Sequence, residues 1–287
     1  LLARRRAREH LLDFTTYTHR GWTRGDHQQK ICSALERVER GDCTRLMIFA
    51  PPRHSKSEFA SVRFPAWCIG RHPDWQIIST SYGDLLAGGF GGEVLNTVRS
   101  HEFRRLFPCT TLRRDTQSKS EWRTDQGGVF HAAGTGGSTT GKGAHLFGID
   151  DPIKTREEAD SITHRDKLWR WYWGVARTRL MPGGRIVLMM TRWHEDDLAG
   201  RLLKSVAEPW EVLELKALTK TDDGEQALWT EWYPETELKR LREQLVEAGR
   251  SREWTAQYQQ EPVAESGSYF LREWFGERWE VAKIAVA

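Results

Sequence analysis

Short apolar runs, each closed by turn-forming residues, recur along the chain and alternate with longer stretches of helical period. Arg45-Leu-Met-Ile-Phe-Ala50 is the first such run, and Pro51 and Pro52 end it. Gln76–Thr80, Ala144–Ile149, Gly184–Thr191 and Glu211–Leu215 repeat the pattern, and each reads as a buried strand. Between them the period predicts helices over 57–68 (bent near its end by Pro65), 85–98, 156–178 and 196–205. Residues 8–40 read as helical with a polar break at Thr23–Asp26, and 235–248 and 252–260 add two more helices. The glycine-rich stretch 127–143 reads as a strand followed by a flexible loop. Strands alternating with helices imply a mainly parallel sheet covered on both faces, an α/β fold. The chain divides into an N-terminal helical segment, 1–40, an α/β core, 41–215, and a small helical extension, 216–287.

Composition narrows the class. A chain of 287 residues suffices for one large α/β domain with a small appendage. No run approaches the roughly 18 apolar residues that span a bilayer, so no membrane association is expected. Cys32, Cys43, Cys68 and Cys109 form no CxxC pair, which argues against a zinc site or a disulfide framework and fits a reducing cytoplasmic setting. A net charge of only +3 gives no global basic field. Arg4, Arg5, Arg6 and Arg8 do form a local cluster, which reads either as a phosphate-neutralising arm or as a solvated helix end. Trp169 and Trp173, spaced i,i+4, share a helix face and are expected in the core or at an interface.

The first strand leads into Ala50-Pro-Pro-Arg-His-Ser-Lys-Ser57, and a helix follows. That is the setting of a phosphate-binding loop, where backbone N–H groups and a helix N-terminus meet an anion. Pro52, Arg53, His54, Ser55, Lys56 and Ser57 are the candidate nucleotide contacts. Lys56 would reach the β- and γ-phosphates, and Ser57 would place its hydroxyl on magnesium. The loop departs from the usual GxxxxGK[ST], with Ala50 and Ser55 at the two glycine positions, and serine adopts positive φ only at a cost. A Lys-Ser pair capping an ordinary surface helix is the simpler alternative.

The third strand ends in Asp150-Asp151. In P-loop ATPases the first acid of such a pair holds magnesium and the next, usually Glu, polarises the attacking water. Asp150 fits the metal role and Asp151 the catalytic one, although it is one methylene short. Glu157 and Glu158 are alternative bases, and capping the next helix is an alternative use of Asp151. The long gap between loop and acid leaves room for an inserted strand, the arrangement of ATPases that carry the catalytic acid on a strand of its own. Thr191, at the end of the fourth strand, is a candidate γ-phosphate sensor, with Arg192 or His194 relaying the signal. A helix cap of the Thr-x-x-Glu kind is equally compatible.

Three segments in this order, PPRHSKSE, GTGGSTTGKGAHLFGIDDPIK and TRWHEDDLAGRL, resemble the large terminase subunit of tailed bacteriophages, over about Trp22 to Phe275. The family tolerates other residues at the second loop glycine. DHQQKIC resembles its region near the adenine, which makes His27 and Gln28 candidates there; a surface helix start explains them as well. The resemblance implies ATP and Mg2+ as cofactors and a motor that moves double-stranded DNA into a procapsid. It implies assembly as a homo-oligomeric ring, a pentamer, on the portal protein, with a small terminase subunit choosing the genome. The setting would be the host cell cytoplasm. The family's nuclease domain would begin near residue 275 and is therefore expected to be absent, so the chain should hydrolyse ATP weakly and not cut DNA. Arg53 could act in cis, and Arg104, Arg105 and Arg123 in trans; exposed surface arginine is the alternative for each. A nucleotide-dependent assembly scaffold and a helicase-like ATPase are the other readings of the same motifs.

Overall fold

The computed structural model describes residues 1–139 and 141–263. Three helices lead in: α1 (Leu2–Glu9), α2 (Leu11–Thr18) and α3 (Asp26–Arg40). β1 (Arg45–Phe49) delivers the phosphate loop. The helix after that loop opens with a π-helical stretch, Glu58–Arg63, and continues as α4 (Phe64–Arg71). Pro65 has no N–H to give to the preceding turn, and the wider turns lie just ahead of it. β2 (Gln76–Ser81), α5 (Asp84–Arg99) and α6 (His101–Leu106) follow.

Next comes an antiparallel edge not expected from the pattern: β3 (Leu112–Gln117) and β4 (Glu121–Thr124), leading into β5 (Val129–Gly134). β6 (Ala144–Asp150) carries the acids at its end. The helix expected over 156–178 is broken. Thr155 caps α7 (Arg156–Asp160), and Ser161 recaps α8 (Ile162–Trp171) by accepting from the His164 amide. A π-helical and a 3₁₀ turn complete it through Arg179. β7 (Leu180–Met190), α9 (Leu198–Leu203) and β8 (Glu211–Glu214) close the core.

The sheet order is β3-β4-β5-β2-β6-β7-β1-β8, with all pairs from β5 to β8 parallel. β7 separates the phosphate-loop strand from the acidic strand, so a strand does lie between them; it follows the acids in sequence, whereas the long gap before them holds β2 to β5 on the other side of β6. The central strands are apolar on both faces because both are covered. Val187 and Met189 of β7 face one core, with Leu11, Ile31, Phe59 and Trp67. Ile186, Leu188 and Met190 alternate into the other, with Phe147, Tyr172 and Leu198. Trp169 and Trp173 meet edge to face, 5.7 Å apart, against this second core.

The segment after β8 adds a hairpin, β9 (Leu218–Thr221) and β10 (Gly224–Ala227), to the expected helices α10 (Glu235–Glu247) and α11 (Ser251–Glu253), the last continued by a π-helical turn to Tyr258. It has its own small core of Leu218, Leu238 and Trp254. The expected start of a nuclease near residue 275 lies outside the described residues. Cys32, Cys43 and Cys68 are buried free thiols, and Cys109 is exposed. Among the described residues no helix is long and apolar enough to cross a membrane.

Candidate nucleotide-binding site

The carboxyl ends of β1, β7, β6 and β2 converge on one cleft of about 460 Å3, a size that suits a small-molecule ligand. Pro52, Arg53, Ser55, Lys56 and Ser57 line one side, and Asp151, Ile153 and Thr191 face them. Tyr82, Phe90, Trp193 and Gln257 form the remaining walls.

The loop has a special backbone. Arg53 and Ser55 hold φ of 64° and 62°. Left-handed residues of this kind curl a chain into an anion-binding concavity. For a side chain bearing a Cβ, each costs roughly 1–3 kcal/mol, and such strain gathers at functional sites. Ser55 stands where the usual loop has glycine, so the geometry is retained although the residue is not. Asp151 is left-handed too, with φ 41°.

Lys56 is almost fully buried, and its ammonium lies 2.9 Å from Asp151 Oδ2. The same Nζ touches the Thr191 hydroxyl, and the Thr191 amide donates to Asp151 Oδ1 at 2.7 Å. Thus Lys56 of the loop, Asp151 and Thr191 at the end of β7 form one connected group. Asp150 is 2% exposed. Ser61 Oγ, on the π-helical stretch, donates to its Oδ2 at 2.7 Å, while Oδ1 is buried with no hydrogen-bond partner among the described residues. Burial first, and the neighbouring Asp151 carboxylate second, push the Asp150 carboxyl up to about 7; Lys56, Ser61 and Ser57 oppose that rise. A buried carboxylate oxygen without a partner, beside a serine hydroxyl and a second acid, suits a divalent cation that takes its other ligands from phosphates and water. Ser57 and Asp150 are the residues that would hold it. No group of three or more His, Cys, Asp or Glu among the described residues forms a metal cage.

The structure sorts the remaining candidates. Glu157 is exposed in an adjoining depression with Leu241 and Arg250, and Glu158 accepts from the Lys154 amide at 2.8 Å. Neither lines the cleft. Arg53 sits at its lip, whereas Arg104 and Arg105 are exposed on α6 and Arg123 pairs with Glu121 at 3.1 Å. The helix cap weighed for Thr191 belongs to Asp197, whose Oδ1 accepts from Gly200 N and whose Oδ2 accepts from Arg192. The Arg192 amide also donates to Gln260 Oε1 at 3.4 Å, which ties the end of β7 to the C-terminal segment. His194 accepts from Asp196 N, a contact local to its turn.

His27, Gln28 and His54 are not in the cleft. Gln28 is buried, accepting from Gly25 N and donating to Thr23 O, so it closes its own helix start. His27 lies beneath the loop with Nε2 3.2 Å from the His54 carbonyl. Burial holds its imidazole down to about 4 and also lowers that of His54. Sequence reasoning missed Ser61, although its spacing of four from Ser57 was visible. It also missed Tyr82, Phe90, Trp193 and Gln257, which only the tertiary fold brings to the walls.

The model of the terminase large subunit N-terminal region, T4likevirus-type, matches residues 47–277. The chain belongs to the terminase large subunit family. This terminase chain is also similar to a solved structure, a mutant ATPase domain of the large terminase from Thermus phage P74-26, at 14% identity and a TM-score of 0.48. The alignment covers 83% of this chain and 98% of that one. Comparison with curated proteins finds no match. Family membership places the chain, in general terms, among viral DNA-packaging motors.

Proposed function

We propose that this chain is an Mg2+-dependent ATPase that drives double-stranded DNA into a procapsid. The observation that carries this reading is the joined group of Lys56, Asp151 and Thr191 beside the unpartnered Oδ1 of Asp150. Lys56 supplies a point charge to the β- and γ-phosphates, and the left-handed loop presents backbone N–H groups to them. A bound magnesium ion, held by Ser57 and Asp150, would neutralise phosphate charge.

Asp151 is the base that orients and deprotonates the attacking water. It stands within the cleft, whereas Glu157 and Glu158 are directed elsewhere. As Lys56 turns to the phosphates its pairing with Asp151 weakens, and the freed carboxylate can accept a proton. Thr191 touches both partners, so its strand end senses that exchange. Arg192 and Gln260 extend the link toward the C-terminal segment. Arg53 is the arginine best placed to act in cis, and Arg104, Arg105 and Arg123 remain for contacts with other molecules.

DNA, the portal, the small terminase subunit and further copies of the chain in a ring are the partners this reading requires. α1, which carries Arg4 and Arg8, packs against α6, which carries Arg104 and Arg105, and two such basic helices side by side would suit phosphates. A second reading has one observation in its favour: the Lys56–Asp151 ion pair neutralises the base, as would suit a scaffold that binds ATP without turning it over.

Steady-state ATP turnover with purified chain and DNA separates the two. The motor reading expects magnesium-dependent turnover that Asp151→Asn lowers by about 10²-fold or more while nucleotide affinity is kept. Equal, near-zero rates in both proteins at high concentration would establish the scaffold.

A further inference from the structure

The phosphate loop is built without glycine, and both of its left-handed residues, Arg53 and Ser55, flank His54. Something outside the loop must therefore hold it in shape. His54 has no exposed surface. Its Nδ1 donates to the Pro52 carbonyl at 2.8 Å, and its own carbonyl accepts from His27 Nε2 at 3.2 Å. Both partners are carbonyls, so each imidazole must carry its proton on the named nitrogen. The face of the His54 ring stacks on Tyr233, 6.0 Å away and inclined by 14°, and Trp229 closes against it at 6.4 Å.

This seat is itself well anchored. Trp229 packs on His27 at 5.2 Å, and its indole N–H donates to the Arg24 carbonyl at 3.2 Å. A Cβ at Gly25 would come within 2.7 Å of the Trp229 ring, so glycine there permits the approach. The Tyr233 amide donates to Trp229 O at 2.8 Å, fixing the two rings on one turn. The same C-terminal segment sends Gln257 into the cleft wall.

We infer that the turn Trp229–Tyr233 is a positioning element for nucleotide binding: its two rings seat His54 and thereby keep Arg53 and Ser55 in the phosphate-binding conformation. The inference rests on the cleft being a nucleotide site. Linkage then makes the effect reciprocal, since phosphate bound to the loop must steady the seat as much as the seat steadies the loop.

The test is calorimetric titration of the 287-residue chain with a non-hydrolysable ATP analogue and magnesium, together with ATP turnover. Tyr233→Ala should weaken binding and raise KM by roughly tenfold, within the usual range of such couplings, with kcat at saturation kept. Tyr233→Phe, which retains the stacked face, should bind as wild type does. Adding Ser55→Gly to Tyr233→Ala should restore most of the lost affinity, because glycine holds a left-handed φ without support. Where Tyr233→Ala does not fold, Tyr233→Leu fills the space without an aromatic face and carries the same expectation. Affinity within about twofold of wild type in Tyr233→Ala overturns the inference, as does a loss that Ser55→Gly leaves unrepaired. Failure of wild type to bind the analogue overturns the nucleotide reading, and this inference with it.

Discussion

The two halves of the cleft are held in different ways. The acid side is fixed by its own strand: β6 is hydrogen-bonded on both flanks, to β2 and β7, and its ladder runs up to Asp150. The loop side leaves β1 at Phe49 and then depends on residues more than 170 positions away, Trp229 and Tyr233, for the packing of His54. One half owes its shape to secondary structure and the other to tertiary contact. The acid side should thus respond to changes in charge, and the loop side to changes in packing and backbone freedom.

Lys56→Ala crosses the boundary and should have the largest effect. It removes the cation proposed to meet the phosphates and leaves Asp151 without its partner. Losing a charge-assisted contact across a binding interface costs about 2–5 kcal/mol, so nucleotide affinity should fall by roughly 10²-fold or more. Calorimetry checks this, and unchanged affinity would remove the loop from the site altogether.

The loop side should reveal itself through pH. His27 is buried among His54, Trp229 and the backbone, with Asp26 beside it, and its imidazole is held down to about 4 against an ordinary 6.5. Between those values the unfolded chain binds a proton that the folded chain refuses. Stability from this group is therefore complete above about 6.5 and is lost as pH falls toward 4, by up to about 3 kcal/mol. Urea unfolding of wild type and His27→Gln across that window measures it. The difference in unfolding free energy between the two should shift with pH in that sense; a constant difference would show that His27 is not shielded.

The acid side should behave in the opposite manner under mutation. Asp150 is a buried carboxylate beside another, with one oxygen unpartnered. Asp150→Asn removes the unfavourable charge and should raise thermal stability by about 1–3 kcal/mol above neutral pH in the absence of magnesium. It should also abolish the magnesium dependence of nucleotide binding. A gain in stability with magnesium dependence intact would take the metal role away from Asp150.

This contrast explains what the sequence could and could not reveal. The positions of Asp150 and Thr191 at strand ends were legible because each closes an apolar run whose strand needs no distant information. The fold class was legible for the same reason, with β1, β2, β6 and β7 each announced by composition. β3 was not: Leu112–Gln117 is a mostly exposed edge carrying Arg113, Arg114 and Asp115, and charge of that kind both protects an edge and hides its strand pattern. The break in the helix after Thr155 turned on Ser161 choosing a capping role, which local period does not register. His27 and Gln28 suggested a ligand because DHQQKIC resembles the family's region near the adenine, with an exposed helix start as the alternative; the structure buries both. His27 is covered by Trp229, which lies across Gly25 from about two hundred residues away, and Gln28 turns back onto Gly25 and Thr23 of its own helix start.

The smallest effect is the one that sets the two halves most directly against each other. Ser55 and Asp151 share a left-handed backbone. Ser55→Gly should relieve about 1–2 kcal/mol of strain while adding about 0.5–1 kcal/mol of chain entropy to the unfolded state, a net gain near 0.5–1 kcal/mol. Nucleotide affinity should persist, because the contacts proposed there for the phosphates are backbone N–H groups. Asp151→Gly relieves comparable strain but deletes the acceptor for Thr191 N and the partner of Lys56, so it should lose stability and turnover together. Thermal unfolding of the two variants with and without nucleotide decides the matter. If both gain stability alike, the strain at Asp151 is separable from its contacts, and the distinction between a supported loop and a self-supporting acid strand fails.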